Sequence, residues 1–213
     1  MAHLYPIFLN LAGRNCLVAG GGKVAERKIA TLLENNALVK VVSPECTAEI
    51  AVWASQGRIA MHSRNFEAQD LEQVSLVFAA TGDVHANSHI TSLCREKGIW
   101  VNAVDDPPNC DFFVPSILRR DSLCIAVSTE GKSPLLAAKL RRDLEEFIPP
   151  EYGEWVEILG DLREQIKNST LDSGERKEII ASLVNSDILD LLREGQREQV
   201  KERIKQCMSC LRG

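Results

Sequence analysis

Three small residues at fixed spacing, Gly20-x-Gly22-x-x-Ala25, are the first candidates for chemistry in this chain. They follow an apolar run, Arg14–Ala19, and lead into a helical stripe that starts at Lys23. In that setting the spacing reads as a dinucleotide turn. Gly20 permits the tight bend, Gly22 lets the backbone approach a pyrophosphate, and Ala25 is small enough for close helix–strand packing. Gly21, Lys23 and Val24 complete the candidate loop, because a helix start attracts an anion. NAD sites often carry an acid about 20 residues further on, to hold the ribose. Here that place reads Val42-Ser43-Pro44-Glu45. Ser43 offers one hydrogen bond, and Glu45 is the available acid. No arginine lies between Val41 and Thr47 to meet a 2′-phosphate, so Ser43-Pro44 favours NAD over NADP.

Two further apolar segments end in polar residues, Ala79-Ala80-Thr81-Gly82 and Asn102-Ala103-Val104-Asp105. Thr81 and Asn102 are expected beside the nicotinamide half of the cofactor. Asp105 leaves an apolar strand toward the same crevice, and partial burial there would raise its pKa and suit it to proton abstraction. Capping a turn is the alternative for Asp105, and for Asp106, next to two prolines, it is the preferred reading. From Pro115 to Arg142 the chain carries six bases (Arg119, Arg120, Lys132, Lys139, Arg141, Arg142) against two acids, Asp121 and Glu130. A cationic stretch of this kind suits a polyanionic small molecule.

The elements that must position these residues alternate. Strands are expected at Arg14–Ala19, Leu38–Val42, Arg58–His62, Ser75–Ala80 and Ile99–Val104. Helices are expected at Lys23–Asn35, at Glu45–Ser55 with Ser43 as N-cap, and at Val84–Lys97. Alternation at this spacing predicts parallel βαβ units and a Rossmann-like, doubly wound α/β sheet. Extra strands are expected at Phe112–Val114 and Ser122–Ser128, with Arg119-Arg120 between them, then a helix from Ser133-Pro134 to Phe147. An apolar strand and helix outside the sheet need a cover, which predicts a homodimer through roughly residues 113–147. Beyond Pro149-Pro150 the composition favours helix, and Gly160, Gly174 and Gly195 are expected to punctuate three or four of them. The reading is therefore a nucleotide domain over 1–112, a small α+β dimerisation segment over 113–149 and a helical domain over 150–213.

Composition narrows the function classes. The 213 residues are 26% charged with net charge −5, and the region from Glu151 to Gly213 carries ten bases against thirteen acids, so no nucleic-acid arm is expected. Apolar runs are far shorter than the ~20 residues of a membrane span. MAHLYPIFLNLAGR lacks a cationic leader region and a cleavage site, so no signal peptide is expected. Seven scattered cysteines read as thiols of a reducing cytoplasm, with Cys16 and Cys124 buried in strands. Cys207-x-x-Cys210 is a lone pair, and His85 and His89 lie one helical turn apart without a third ligand, so no metal site is expected.

Five motifs in order give a resemblance. Tyr5-Pro-Ile-Phe-Leu-Asn-Leu, Val18-Ala-Gly-Gly-Gly-Lys-Val-Ala-Glu-Arg-Lys28, Val101-Asn-Ala-Val-Asp105, Phe113-Val-Pro-Ser116 and Ala126-Val-Ser-Thr-Glu-Gly-Lys-Ser-Pro134 resemble the precorrin-2 dehydrogenase family, which includes the N-terminal module of sirohaem synthase. The resemblance implies NAD-dependent oxidation of precorrin-2 to sirohydrochlorin. In some members it also implies insertion of ferrous iron to give sirohaem. It implies a homodimer, and it puts the family's essential aspartate on Asp105. The eight carboxylates of precorrin-2 would account for the basic stretch, with Arg119, Arg120, Ser128 and Lys132 as substrate-binding candidates. Lys23 departs from relatives that carry an acid there, and the sequence has no fused methyltransferase, so precorrin-2 is expected from another enzyme. An NAD-binding regulatory module without catalysis and a chelatase that keeps NAD only as a structural ligand are the competing readings.

Overall fold

The computed structural model describes residues 3–209, and the chain divides between Val114 and Pro115 into two compact units. In the first unit, β1 (Asn15–Ala19), β2 (Leu38–Val42), β3 (Ala60–His62), β4 (Leu76–Ala79) and β5 (Trp100–Ala103) form one parallel sheet in the order β3-β2-β1-β4-β5. Side chains alternate across β1. Cys16 and Val18 enter one apolar cluster, while Leu17 and Ala19 enter another on the opposite face. Helix α1 (Lys23–Glu34) and helix α2 (Ala48–Ser55) cover the first face through Ala25, Ile29, Leu32, Ile50 and Trp53. Helix α3 (Val84–Glu96) covers the second through Ile90 and Cys94. Burial on both faces is why these strands read as near-continuous apolar runs. Strand order reverses at β1–β4, and ligands of such sheets bind beyond the carboxyl ends of the strands at that point.

Two expectations in this unit need correction. Helix α2 starts at Ala48, not Glu45, because Thr47 is its cap, its side chain accepting from the Ile50 amide. Ser43 is buried, and its hydroxyl donates to the Glu45 carbonyl at 2.6 Å. Residues 43–47 close over the glycine loop instead: the Thr47 amide donates to the Gly21 carbonyl at 2.9 Å. The expected strand at Phe112–Val114 is absent. An isolated bridge, Asn102 with Cys110, and the Asn102 side chain hold the preceding segment as a strap.

In the second unit, β6 (Ser116–Arg120) and β7 (Leu123–Val127) pair antiparallel, so Arg119-Arg120 lie on a strand and not between two. Cys124 is half-buried rather than buried, since a two-stranded sheet shelters little. Helix α4 (Pro134–Phe147) is capped by Ser133, whose side chain accepts from the Leu136 amide. Helices α5 (Glu151–Lys167), α6 (Ser173–Val184), α7 (Ile188–Arg193) and α8 (Arg197–Ser209) follow, packed on Trp155, Ile166, Ile179, Leu183, Ile188 and Val200. Gly160 lies inside α5 and breaks nothing, and Gly174 sits in the first turn of α6; Gly195, with φ 71°, does separate α7 from α8. Cys207 is buried in this core, and Cys210 lies outside the described residues. Among the described residues no helix is long and apolar enough to cross a membrane, and no group of three or more His, Cys, Asp or Glu could hold a metal.

Candidate dinucleotide site

Each glycine of the loop answers to a different neighbour. Gly20 has φ 124°, and a Cβ there would collide with the Ala80 carbonyl and come to 3.1 Å from the Thr81 amide. At Gly21 a Cβ would run into the Glu45 carbonyl and the Cys46 Cα. These two glycines let the ends of β1, β2 and β4 approach one another. Gly22 has open space where a Cβ would stand, and it caps α1 in extended conformation without a side-chain cap. The first-turn amides of α1, those of Lys23 and Val24 among them, are therefore candidate donors to an anion, with a clear approach. That cradle fits a dinucleotide pyrophosphate.

Side chains around the loop are tied down. Lys23 bonds both oxygens of Glu26 at 3.0 Å, and Thr47 also hydrogen-bonds Glu26. The Thr47 bond and then the Lys23 bond hold the Glu26 carboxyl below the usual range. Beyond β4, the Thr81 hydroxyl donates to Asn87 Oδ1 at 2.8 Å, and the Thr81 amide donates to the same oxygen. Asn87 is buried on α3 and fixes the loop after β4 at Thr81. A polar residue on the buried stripe with Ile90, Thr91 and Cys94 was its legible sign.

Asn102 is buried on β5, and its amide nitrogen donates to the Phe112 carbonyl at 2.9 Å. This bond clamps the strap, and Phe112 meets Phe78 edge-on at 5.4 Å between centroids. Asp105 follows β5 in the left-handed region, φ 59°, where Asp and Asn are the non-glycine residues that fit best. The residue is exposed, so the partial burial expected of it is absent: it stands in the turn that follows β5 and not within the strand. Asp106 accepts from Asn109 at 2.7 Å and is a turn residue.

Lys28 on α1 is a further polar residue that spacing alone does not single out. It is half-buried, with its ammonium over the Phe78 ring at 5.3 Å from the centroid. Burial, then Arg27, lowers its pKa, while Cys110 and Asp105 oppose that shift. A cation three residues after Ala25 and beside Ile29, at the edge of the buried stripe, was the available signal.

The four substrate candidates belong to the second unit. Arg119 and Arg120 are consecutive on β6, so their side chains point to opposite faces and cannot form one patch. Arg120 Nε donates to the Ile148 carbonyl at 3.0 Å, securing the end of α4. Arg119 is exposed. The Ser128 hydroxyl accepts from the Glu130 amide at 3.1 Å, and Lys132 is exposed in the turn ahead of α4.

Comparison with known proteins covers most of the chain. Residues 7–116 match the family described as "Putative NAD(P)-binding", 120–146 match "Sirohaem biosynthesis protein central", and 151–208 match "Sirohaem synthase dimerisation region". A siroheme synthase of Thioalkalivibrio sulfidiphilus is 37% identical over 96% of this chain and 42% of its own length. A siroheme synthase of Nitrosococcus oceani is 37% identical over 92% of this chain and 42% of its own length. The chain thus spans less than half the length of these relatives. The solved structure of SirC, a precorrin-2 dehydrogenase, superposes with TM-score 0.82 at 26% identity, covering 97% of this chain and 100% of that one.

Proposed function

The chain belongs to the NAD(P)-binding family of precorrin-2 dehydrogenase and the sirohaem synthase N-terminal module, and from that premise we propose that it oxidises precorrin-2 to sirohydrochlorin with NAD. One observation carries the reading. At the carboxyl ends of the neighbouring strands β1, β4 and β5, an open backbone cradle at Gly22 and an exposed carboxylate at Asp105 occur in one sheet.

When bound, NAD supplies the hydride acceptor, and the protein supplies position and the proton's destination. The first-turn amides of α1 hold the pyrophosphate, and Gly20 and Gly21 keep the strand ends close enough to frame it. Thr81, fixed by Asn87, and Asn102, fixed on the strap, shape the floor toward β5. Among the polar groups at these strand ends, Thr81 and Asn102 are poor bases, which leaves the Asp105 carboxylate to accept the substrate proton. The reaction consumes one precorrin-2 and one NAD⁺, and yields sirohydrochlorin, NADH and a proton. Ferrous iron, as a substrate that sirohydrochlorin could take up at the same site, belongs to the proposal.

The proposal includes a homodimer. On α4, Leu135 is 85% exposed and Phe147 70% exposed, with Leu136 and Leu140 also open, an apolar face that a second copy would cover. We keep the segments 113–149 and 150–213 as the assembly half of the chain, and 1–112 as its nucleotide domain. The described cysteines are free thiols, which supports a reducing, cytoplasmic setting.

The test is incubation of the chain with precorrin-2 and NAD, following NADH absorbance and the tetrapyrrole spectrum, then addition of ferrous iron. NADH formation matched by sirohydrochlorin is the expected result. NAD binding without NADH formation would replace the enzyme with a nucleotide-sensing module.

A further inference from the structure

Half-buried bases in this protein have oxygen partners. Arg64 grips Asp70, Lys40 reaches the Asp70 carbonyl, Arg120 donates to the Ile148 carbonyl, and Arg176 donates to the Leu171 carbonyl. Lys28 differs. Among the described residues, no oxygen stands at hydrogen-bond or ion-pair distance from its ammonium, which rests on the ring of Phe78. A ring face replaces only part of the hydration that a half-buried ammonium gives up. Burial accordingly pushes Lys28 below the ordinary lysine range. Asp105 and Cys110 lie within electrostatic reach, yet neither closes an ion pair, and the exposed Asp105 leaves the lysine charge unspent.

The placement is specific. The helix that offers its amides at Gly22 carries Lys28 as its sixth residue, and the side chain runs across β4 toward β5 and the strap. A cation left unmatched there gains most from an anion that arrives with a ligand.

We propose that Lys28 is a substrate-anchoring residue, its ammonium taking one carboxylate of the tetrapyrrole at the edge of the crevice beyond β4 and β5. This rests on the proposed substrate, a tetrapyrrole with eight carboxylates. The anchor sets substrate affinity and takes no part in moving the hydride or the proton.

The probe is uroporphyrin III, an eight-carboxylate tetrapyrrole that carries no oxidation for the enzyme to perform. It is titrated by fluorescence against the full chain saturated with NAD. Lys28→Met is expected to weaken this binding about tenfold, as loss of one charged hydrogen bond would, while Lys28→Arg stays within about threefold of wild type. NAD affinity is unchanged, and the Tm of Lys28→Met without tetrapyrrole is not lowered, since the variant removes an unmatched cation. With precorrin-2, KM rises about tenfold and kcat stays within about threefold. Wild-type affinity in Lys28→Met overturns the proposal. So does a fall in kcat at constant KM, or a drop in Tm that Lys28→Arg does not restore. If wild type binds the probe in the expected pattern but never oxidises precorrin-2, the anchor stands and the dehydrogenase reading fails. If wild type oxidises precorrin-2 and ignores the probe, the anchor fails alone.

Discussion

In the parallel sheet, Gly20 stands where a Cβ would strike the Ala80 carbonyl, whereas Gly160 in the middle of α5 faces nothing within 4 Å. The contrast extends to charge. Asp70 in the first unit is buried and takes both guanidinium arms of Arg64 at 2.7 and 2.8 Å, with a third bond from the Glu67 amide. In the second unit most ion pairs join exposed residues three or four apart on one helix, such as Lys201–Glu198 and Lys205–Glu202. The nucleotide unit adds close backbone approach and a few fixed polar contacts to the two apolar clusters on the faces of its sheet. The helical unit is held by an apolar stripe whose surface charges each contribute little. Tolerance to substitution should differ accordingly.

Asp105→Asn probes this difference where the effect is largest. Asparagine keeps the size of the side chain and suits the left-handed backbone, but it cannot take the proton. Dehydrogenase turnover should fall by about 10²–10⁴-fold, with folding and NAD affinity intact. The same change at Asp187 in the helical unit should leave turnover alone. Near-wild-type oxidation by Asp105→Asn would reduce Asp105 to a turn residue and leave catalysis to positioning.

Gly20→Ala comes next. It places a methyl group against backbone that cannot move without separating β1 from β4, in a conformation that disfavours a side chain. A loss of about 3–5 kcal/mol in urea unfolding is expected. Gly22→Ala should fold normally, and Gly22→Asp should fold and lose NAD. Equal destabilisation at positions 20 and 22 would erase the distinction between a packing glycine and a ligand glycine.

Asp70→Asn tests the buried pair. Its bonds to Arg64, and secondarily to the Glu67 amide, hold the Asp70 carboxyl below the usual range. Its stabilisation is therefore complete above the unfolded value of about 3.9 and is lost as the pH falls through the lower folded value. Arg64 keeps 34% of its side chain exposed, so solvent screening reduces the loss to about 1–3 kcal/mol at pH 7. The difference between variant and wild type should shrink toward zero in acid. A pH-independent difference would assign the effect to packing.

Gly160→Ala should have the smallest effect and the opposite sign. With open space around it and a helical backbone, it should stabilise the protein by about 0.5–1 kcal/mol in thermal or urea unfolding. Destabilisation there would mean that α5 is covered in the assembled protein.

Local pattern determined much of this molecule. Leu38–Val42 is a strand because Val39 and Val41 enter one core and Val42 the other, and Pro134–Phe147 is a helix because Ser133 and Pro134 start it. The glycine spacing between a strand and a helix is what proposes a dinucleotide turn, and its place at a strand end is what makes Asp105 a candidate. These are readable because propensity, periodicity and capping act between residues a few positions apart. Tertiary structure decided the rest. It moved the start of α2 to Ala48, spending Ser43 to Thr47 on the glycine loop, and it turned Phe112 into part of a strap held by Asn102. It exposed Asp105, buried Asp70 under Arg64, fixed Thr81 through Asn87, and left Lys28 on a ring with no ion-pair partner among the described residues. Each of those outcomes depends on which groups from distant parts of the chain meet, and on how much water their meeting excludes. Burial and partnership set the free energy of a charge, and neither is a property of its neighbours in sequence.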